Sequence, residues 1–333
     1  MSEPLLSVAD LRTWLFTEQG VVRAVDGVSF EVEEGETVGL VGESGCGKTV
    51  TALSLLALLP SPPARIMEGS SVRFGGEELV GASERRLRRL RGNDVSMVFQ
   101  EPDSSLNPVF TVGDQIVEAL RLHRGMSRAS ARDEAERLLA EVGISEPRRR
   151  LGEHPHQLSG GMRQRVMIAM ALSCEPSLLI ADEPTTALDV TVQAQILELL
   201  ADLRKRRGLA VILITHDLAV VAEACDRVVV MYAGQVVEAG TVDEIFREPR
   251  HPYTRGLLDS LPSLERGEGR LDPIPGSVPD PRAWPEGCRF RPRCPHAFEP
   301  CITDPESVEL GRPGRVCRCW LCTESASSVE HGA

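Results

Sequence analysis

Residues 42–49 read Gly42-Glu43-Ser44-Gly45-Cys46-Gly47-Lys48-Thr49, a complete G-x-x-x-x-G-K-[ST] phosphate loop. Its glycines let backbone N–H groups turn inward around an anion with no Cβ in the way. Upstream, Thr37-Val38-Gly39-Leu40-Val41 reads as a strand feeding the loop. Downstream, the apolar run Val50 to Leu59 reads as a helix whose N-terminus points its dipole at bound phosphates. Lys48 is placed to reach the β- and γ-phosphates, and Thr49 to ligate Mg²⁺. Gly42, Glu43, Ser44, Gly45, Cys46, Gly47, Lys48 and Thr49, with Val50 in the first helical turn, are the expected nucleotide contacts. A glycine-rich turn before a buried helix is the plainer alternative, and the strand–loop–helix context argues against it.

The chain has 333 residues, 42% apolar and 26% charged, ordinary for a soluble globular protein of one large or two smaller domains. The apolar run Val50 to Leu59 is too short to span a bilayer. The start, Met1-Ser2-Glu3-Pro4, lacks the basic and apolar regions of a secretory signal. The expectation is a cytosolic protein that reaches a membrane by docking on other subunits. Net charge is −12, which disfavours a broad nucleic-acid surface. The basic runs Arg85 to Arg91 and Arg148 to Arg150 read as solvated helix faces. Of nine cysteines, six fall between 288 and 322. In a reducing compartment such density suits a metal site better than a disulfide framework.

Residues 1–40 alternate apolar and polar positions around turns at Glu18-Gln19-Gly20 and Glu33-Glu34-Gly35, which predicts short antiparallel strands. Val72–Phe74 and Val95–Phe99 are further strands. Three- and four-residue apolar spacings predict helices over Thr111–Leu122, Ser130–Val142 and Gly161–Leu172. The continuous apolar runs 177–181 and 209–214, joined by a helix over 190–206, fit a parallel sheet covered on both faces. A hairpin is expected at 227–232 and 235–238. Beyond about residue 240 proline becomes frequent and periodicity fades.

Leu178-Leu179-Ile180-Ala181-Asp182-Glu183 is an apolar strand ending in two acids. Asp182 is placed to hold Mg²⁺ through water, and Glu183 to orient or deprotonate an attacking water. Leu158-Ser159-Gly160-Gly161-Met162 opens a second helix N-terminus suited to an anion. One triphosphate does not need two such devices on one chain.

Taken together these motifs resemble the ATP-binding cassette (ABC) ATPases, in that family's order across residues 1–240. The phosphate loop is followed by Gln100, the LSGGMRQR segment from Leu158, the LLIADEPTTALD segment from Leu178, and Ile214-Thr215-His216-Asp217. The resemblance implies an α/β P-loop NTPase fold: a RecA-like core with an antiparallel β subdomain and a helical subdomain at about 101–172. It implies two cassettes paired head to tail, with Ser159, Gly160 and Gly161 of one touching the γ-phosphate held by the other. It implies that Gln100 links Mg²⁺ and the lytic water to the helical subdomain. His216 would contact the γ-phosphate and steady Glu183. Ala187-Leu188-Asp189 would run along the dimer seam. Phe16, with Trp14 second, is the expected adenine-stacking residue.

The segment from Gln100 through Glu101-Pro102-Asp103-Ser104-Ser105-Leu106-Asn107-Pro108, the run His251-Pro252-Tyr253-Thr254-Arg255-Gly256-Leu257-Leu258, Pro273-Ile274-Pro275-Gly276, and Cys288-Arg289-Phe290-Arg291-Pro292-Arg293-Cys294-Pro295 resemble the peptide-importer branch. This implies an ATP-hydrolysing subunit for di- or oligopeptide uptake. It would sit at the cytoplasmic face of the inner or plasma membrane. Its partners would be a second homologous cassette, two transmembrane permeases and, indirectly, an extracytoplasmic binding protein. Nickel or another small solute is the alternative cargo, and a soluble ABC ATPase the distant alternative. Residues 241–333 would form a small irregular cysteine-rich extension. The spacing Cys288-x5-Cys294-x6-Cys301-x17-Cys319 suits four thiolates on zinc or a [4Fe–4S] cluster. The resemblance favours the cluster, with Cys319 as fourth ligand and Cys317 and Cys322 open as alternatives.

Overall fold

The computed structural model describes residues 3–101, 105–186, 188–260 and 274–323. The expected features at Pro102, Asp103, Ser104, Ala187 and Pro273 lie outside the described residues. The chain gathers into two compact units, one of Met1–Val32, Thr37–Gly81 and Thr215–Ala333, the other of Glu33–Glu36 and Ala82–Ile214.

In the first unit, the strands Leu6–Thr17 and Gly20–Val32 pair antiparallel from Leu6↔Val32 to Thr17↔Gly20. The turn falls where the sequence placed it. The strands run 12 and 13 residues, however, and are not short. Register shifts between Val8 and Leu15 let the chain bend without leaving the ladder. In sequence such shifts look like interrupted alternation. Leu6, Val8, Leu11, Val25, Val28, Phe30 and Val32 turn inward and are buried. Ala64–Ile66 and Ser71–Phe74 add to Leu6–Thr17, and Glu77–Glu78 adds to Ser71–Phe74.

A second sheet portion in this unit holds the phosphate-loop strand Thr37–Val41, parallel to Arg227–Tyr232. Gln235–Thr241 follows antiparallel, as the expected hairpin, and Val316–Cys317 and Val308–Glu309 extend the edge. The helix after the loop spans Lys48–Leu55 rather than Val50–Leu59. It starts earlier because Gly47 supplies the left-handed N-cap. It stops earlier because Ala57 takes φ 48° ahead of Pro60.

One core in this unit joins residues before and after 240. Val41, Val228, Val230 and Tyr232 pack with Ile245, Tyr253 and Phe290, and Trp284, Cys288 and Cys294 pack against them. Tyr232, Tyr253 and Phe290 form a ring cluster with centroids 4.6, 5.2 and 5.4 Å apart. Such pairs add ~0.5–1.5 kcal/mol each beyond buried area.

In the second unit, Val95–Val98, Leu178–Asp182 and Ala210–Thr215 are parallel, with Val95↔Leu178 and Leu178↔Ala210 in register. Every residue of the latter two strands is buried, which explains their unbroken apolar sequence. Helices Val112–Arg124, Arg128–Glu141, Gly160–Leu172 and Val190–Arg207 match the expected spans within two residues. Thr111, Ser127, Ser159 and Asp189 cap them with side-chain oxygens. The basic run at 85–91 forms the helix Glu84–Leu90, burying Leu87 and Leu90 and exposing Arg85, Arg88 and Arg89.

Candidate nucleotide site and cysteine pocket

The phosphate loop is shaped by what its backbone touches. Gly42, Gly45 and Gly47 take φ of 151°, 79° and 102°, left-handed values that disfavour a side chain. At two of them space forbids one as well. A Cβ on Gly42 would lie 2.2 Å from the Met231 carbonyl oxygen, and one on Gly47 2.3 Å from that of Ala24. Lys48 is 6% exposed and donates to the Gly42 and Glu43 carbonyls at 2.8 and 3.1 Å. Its ammonium therefore lies inside the curve of the loop. Ser44, Gly45 and Thr49 are exposed, and Val50 is half-buried. Cys46 is fully buried, which pushes its thiol pKa up and keeps it neutral.

In the second unit, Asp182 ends its strand 2% exposed. Glu183 follows in the left-handed region, φ 46°, a conformation costing a non-glycine residue ~1–3 kcal/mol. Its N–H donates to the Ile214 carbonyl at 2.9 Å, which holds the turn. The turn lifts the carboxylate to two donors: Gln100 Nε2 at 3.0 Å and Thr186 Oγ1 at 2.8 Å, both on the same oxygen. Two residues far apart in sequence and expected to share a water thus meet directly. Ser159 and Gly160 sit exposed at the N-terminus of Gly160–Leu172, where Ser159 Oγ accepts from Met162 N at 3.4 Å. Gly161 is close against Val192, whose Cγ1 a Cβ would meet at 2.8 Å. Leu188 and Asp189 enter the helix Val190–Arg207, with Asp189 as its cap.

His216, in the first unit, is exposed in a bend after Thr215. The next residue, Asp217, caps Leu218–Ala224. Phe16 is 45% exposed at the strand end. Trp14 is partly covered: its Nε1 donates to Asp26 at 3.3 Å and the Arg23 guanidinium sits 4.8 Å over its ring. Of the two candidates, Phe16 offers the more open ring.

Cys288, Cys294, Cys301 and Cys319 line one small pocket with Phe290, Trp320 and the buried His251. Cys317 and Cys322 do not line it; their sulfurs face each other at 2.7 Å. Cys319 is therefore the tail cysteine that joins the first three. Burial pushes the Cys288 thiol up to about 11 and the Cys294 thiol upward. Cys322 rises to about 12, mainly through its bond with Cys317. As the side chains stand, no group of three or more His, Cys, Asp or Glu among the described residues is arranged to hold one metal ion.

Two residues quoted in the sequence motifs have contacts that sequence reasoning missed. The Tyr253 hydroxyl accepts the Glu43 N–H at 2.9 Å. Arg293 grips the Glu43 carboxylate with both terminal nitrogens, at 2.6 and 2.9 Å. A separation of 210 and 250 residues hides both contacts from any local pattern.

Comparison with known proteins agrees with this architecture. The ABC transporter family profile matches residues 25–186, and the profile of the oligopeptide/dipeptide transporter C-terminal region matches residues 237–301. The chain is 53% identical to the oligopeptide transport ATP-binding protein AppD of Bacillus subtilis (strain 168), over 97% of this chain and 98% of that one. It is 49% identical to the dipeptide transport ATP-binding protein DppD of the same organism, over 97% and 96%. Among solved structures it is similar to the dimeric ATP-binding cassette MJ0796 bound to ADP and Pi. The TM-score there is 0.64 and the identity 28%, over 71% of this chain and 98% of that one. Similarity of this extent means that the chain belongs to the ABC transporter family of ATP-binding proteins, in the branch carrying the oligopeptide/dipeptide transporter C-terminal region.

Proposed function

We propose that this chain binds and hydrolyses ATP to power a membrane importer of di- and oligopeptides. The observation that carries the ATPase part is the Gln100–Glu183 contact at 3.0 Å, in a chain whose sequence holds a complete phosphate loop. The peptide part rests on relatives at 53% and 49% identity that are named for oligopeptide and dipeptide transport. In this account residues 1–240 are the ATPase domain and 241–333 the extension.

The residues divide the work as follows. Gly42 to Thr49 cradle the phosphates, Lys48 leaves its two carbonyls for the terminal phosphates, and Phe16 stacks on adenine. Thr49, Asp182 and Gln100 would hold Mg²⁺; the exposed hydroxyl at a helix start and the buried carboxylate suit a hard cation. When bound, Mg²⁺ supplies charge neutralisation on the phosphate oxygens. The Glu183 carboxylate accepts the proton of the attacking water, oriented by Gln100 and Thr186, and His216 steadies the same region. Ser159, Gly160 and Gly161 meet the γ-phosphate held by a second, homologous cassette, so ATP favours the closed pair and hydrolysis releases it. Moving such a switch from 1:99 to 99:1 takes about 5.5 kcal/mol. Charge-assisted hydrogen bonds of ~1.5–3 kcal/mol each reach that with a few contacts.

The membrane partners are two permease subunits, docked near Gln100 to Phe110. Phe99, Val109 and Phe110 are 40, 73 and 52% exposed there, unusual for residues so apolar. Among the described residues no helix is long and apolar enough to cross a membrane. Attachment would be peripheral, at the cytoplasmic face. An extracytoplasmic binding protein would act through the permeases. The four thiols at one apolar-walled pocket fit a [4Fe–4S] cluster in donor type and number. Iron content and visible absorbance of anaerobically purified protein test this, and their absence in wild type would refute it.

The hydrolytic role is tested with Glu183→Gln in the assembled transporter. ATP should be retained while turnover falls ~10²–10⁴-fold, the share of a general base. Turnover like the wild type would refute the assignment.

A further inference from the structure

The Arg293 side chain is 4% exposed, and the Glu43 side chain its guanidinium grips is 30% exposed. Its other contacts go to residues 274–276 and to Tyr232: Nε on the Pro275 carbonyl at 2.8 Å, Nη2 on Ile274 and Gly276 carbonyls at 3.5 Å, and Nη1 also on the Tyr232 hydroxyl at 3.4 Å. The group also lies 5.7 Å from the Tyr232 ring centroid. A planar fork fixed on so many sides has one orientation, and that orientation presents a bidentate face to a carboxylate.

Glu43 is held at four atoms. Its N–H goes to Tyr253, its two carboxylate oxygens to Arg293, and its carbonyl accepts from Lys48 Nζ at 3.1 Å and from Cys46 N at 3.3 Å. Glu43 is the second residue of the phosphate loop. Its carbonyl is one of two that position the Lys48 ammonium. Arg293 in turn ends the short 3-10 turn Arg291–Arg293, between Cys288 and Cys294 of the cysteine pocket. Arg291 N bonds the Cys288 carbonyl at 3.0 Å, and Cys294 N bonds the Arg291 carbonyl at 3.3 Å. The backbone carrying two pocket thiols is thus the backbone that aims Arg293.

We propose that Arg293 and Tyr253 are positioning residues for nucleotide binding: through Glu43 they hold the phosphate loop in its anion-binding shape and tie that shape to the cysteine-bearing segment. Both act through their bonds to Glu43. The inference rests on the ATPase role above and adds a control point to it. Whatever alters the Cys288–Cys294 turn reaches the loop through one side chain.

The test is equilibrium titration of the full chain with Mg²⁺ and a fluorescent ATP analogue, for wild type, Arg293→Met, Arg293→Lys, Tyr253→Phe and the Tyr253→Phe/Arg293→Met pair. Arg293→Met should weaken binding at least tenfold. Arg293→Lys, which keeps the charge and loses the fork, should stay weakened by several-fold. Tyr253→Phe should weaken binding by a few-fold. The double variant should fall short of the product of its parts, because both act on Glu43. In the assembled transporter Arg293→Met should raise KM for ATP far more than it lowers kcat, a split that general loss of structure does not produce. Wild-type affinity in folded Arg293→Met or Arg293→Lys overturns the proposal. If the arginine variants do not fold, Tyr253→Phe decides alone, and wild-type affinity there overturns it. No nucleotide binding by wild type would instead break the ATPase role itself.

Discussion

The two helix N-termini proposed to meet an anion are made differently. The one at Lys48–Leu55 has a glycine N-cap with no side-chain cap, and its loop is gripped through Met231, Ala24, Tyr253 and Arg293. The one at Gly160–Leu172 is capped by its own Ser159 at 3.4 Å, and Ser159 and Gly160 are exposed. A helix end that must hold a ligand gives up its own cap and takes support from its surroundings. A helix end that must meet a ligand presented by another molecule caps itself and stays open. In the roles proposed for them, the first is a holder and the second a docking face.

The contrast breaks most sharply at Gly47. Gly47→Ala would put a methyl 2.3 Å from the Ala24 carbonyl at φ 102°. It should abolish measurable nucleotide binding in titration and lower stability by ~1–3 kcal/mol or more. Near-normal affinity would mean the loop is not held as described. Next in size, Ser159→Arg should strip ATP turnover from the assembled transporter ~10²-fold or more while the chain's own affinity for ATP changes little. Equal loss of affinity and turnover would remove the distinction between holder and docking face. Smaller again, Ser159→Ala should cost about 1 kcal/mol of helix stability in denaturant titration, through the lost cap.

The smallest effect concerns the tail that supports the holder. Glu244 accepts from Arg312, through two contacts of which one is 2.9 Å, and from Thr241 N at 2.8 Å. The Arg312 bond, above all, lowers the carboxyl to about 2. A lowered carboxylate stabilises above its unfolded value of 4.5, and that contribution is lost as pH falls toward 2. Glu244→Gln should therefore lower stability at pH 7, where the contribution is fully present, and converge with wild type near pH 2, so the acid limb is flatter in this window. An unchanged acid limb would show that the tail is anchored elsewhere.

Sequence reading reached the elements whose physics is local. The buried strands at 178–182 and 210–215 announce themselves by unbroken apolar runs, and the helices by their spacing and their Ser, Thr and Asp caps. The phosphate loop is legible because glycine alone tolerates its backbone. Strand length at 6–32 was misjudged, since register shifts disguise a continuous ladder. The start of the loop helix was misplaced because Lys48 and Thr49 belong to motif and helix at once. At the site, Gln100 and Glu183 could be named but not joined, and the 3.0 Å bond between them is a tertiary fact. Arg293 and Tyr253 were in view as motif letters only. Their partner is one loop residue more than 200 positions away, a contact with no periodicity or spacing to betray it.

The central claim is that this chain's own loop holds ATP and its own Glu183 drives hydrolysis against a second cassette. The most direct measurement is the identity of the nucleotide retained by the assembled transporter carrying Glu183→Gln after incubation with Mg²⁺ and ATP. The account predicts intact ATP at this chain's site. Recovery of ADP from that site at the wild-type rate would contradict it.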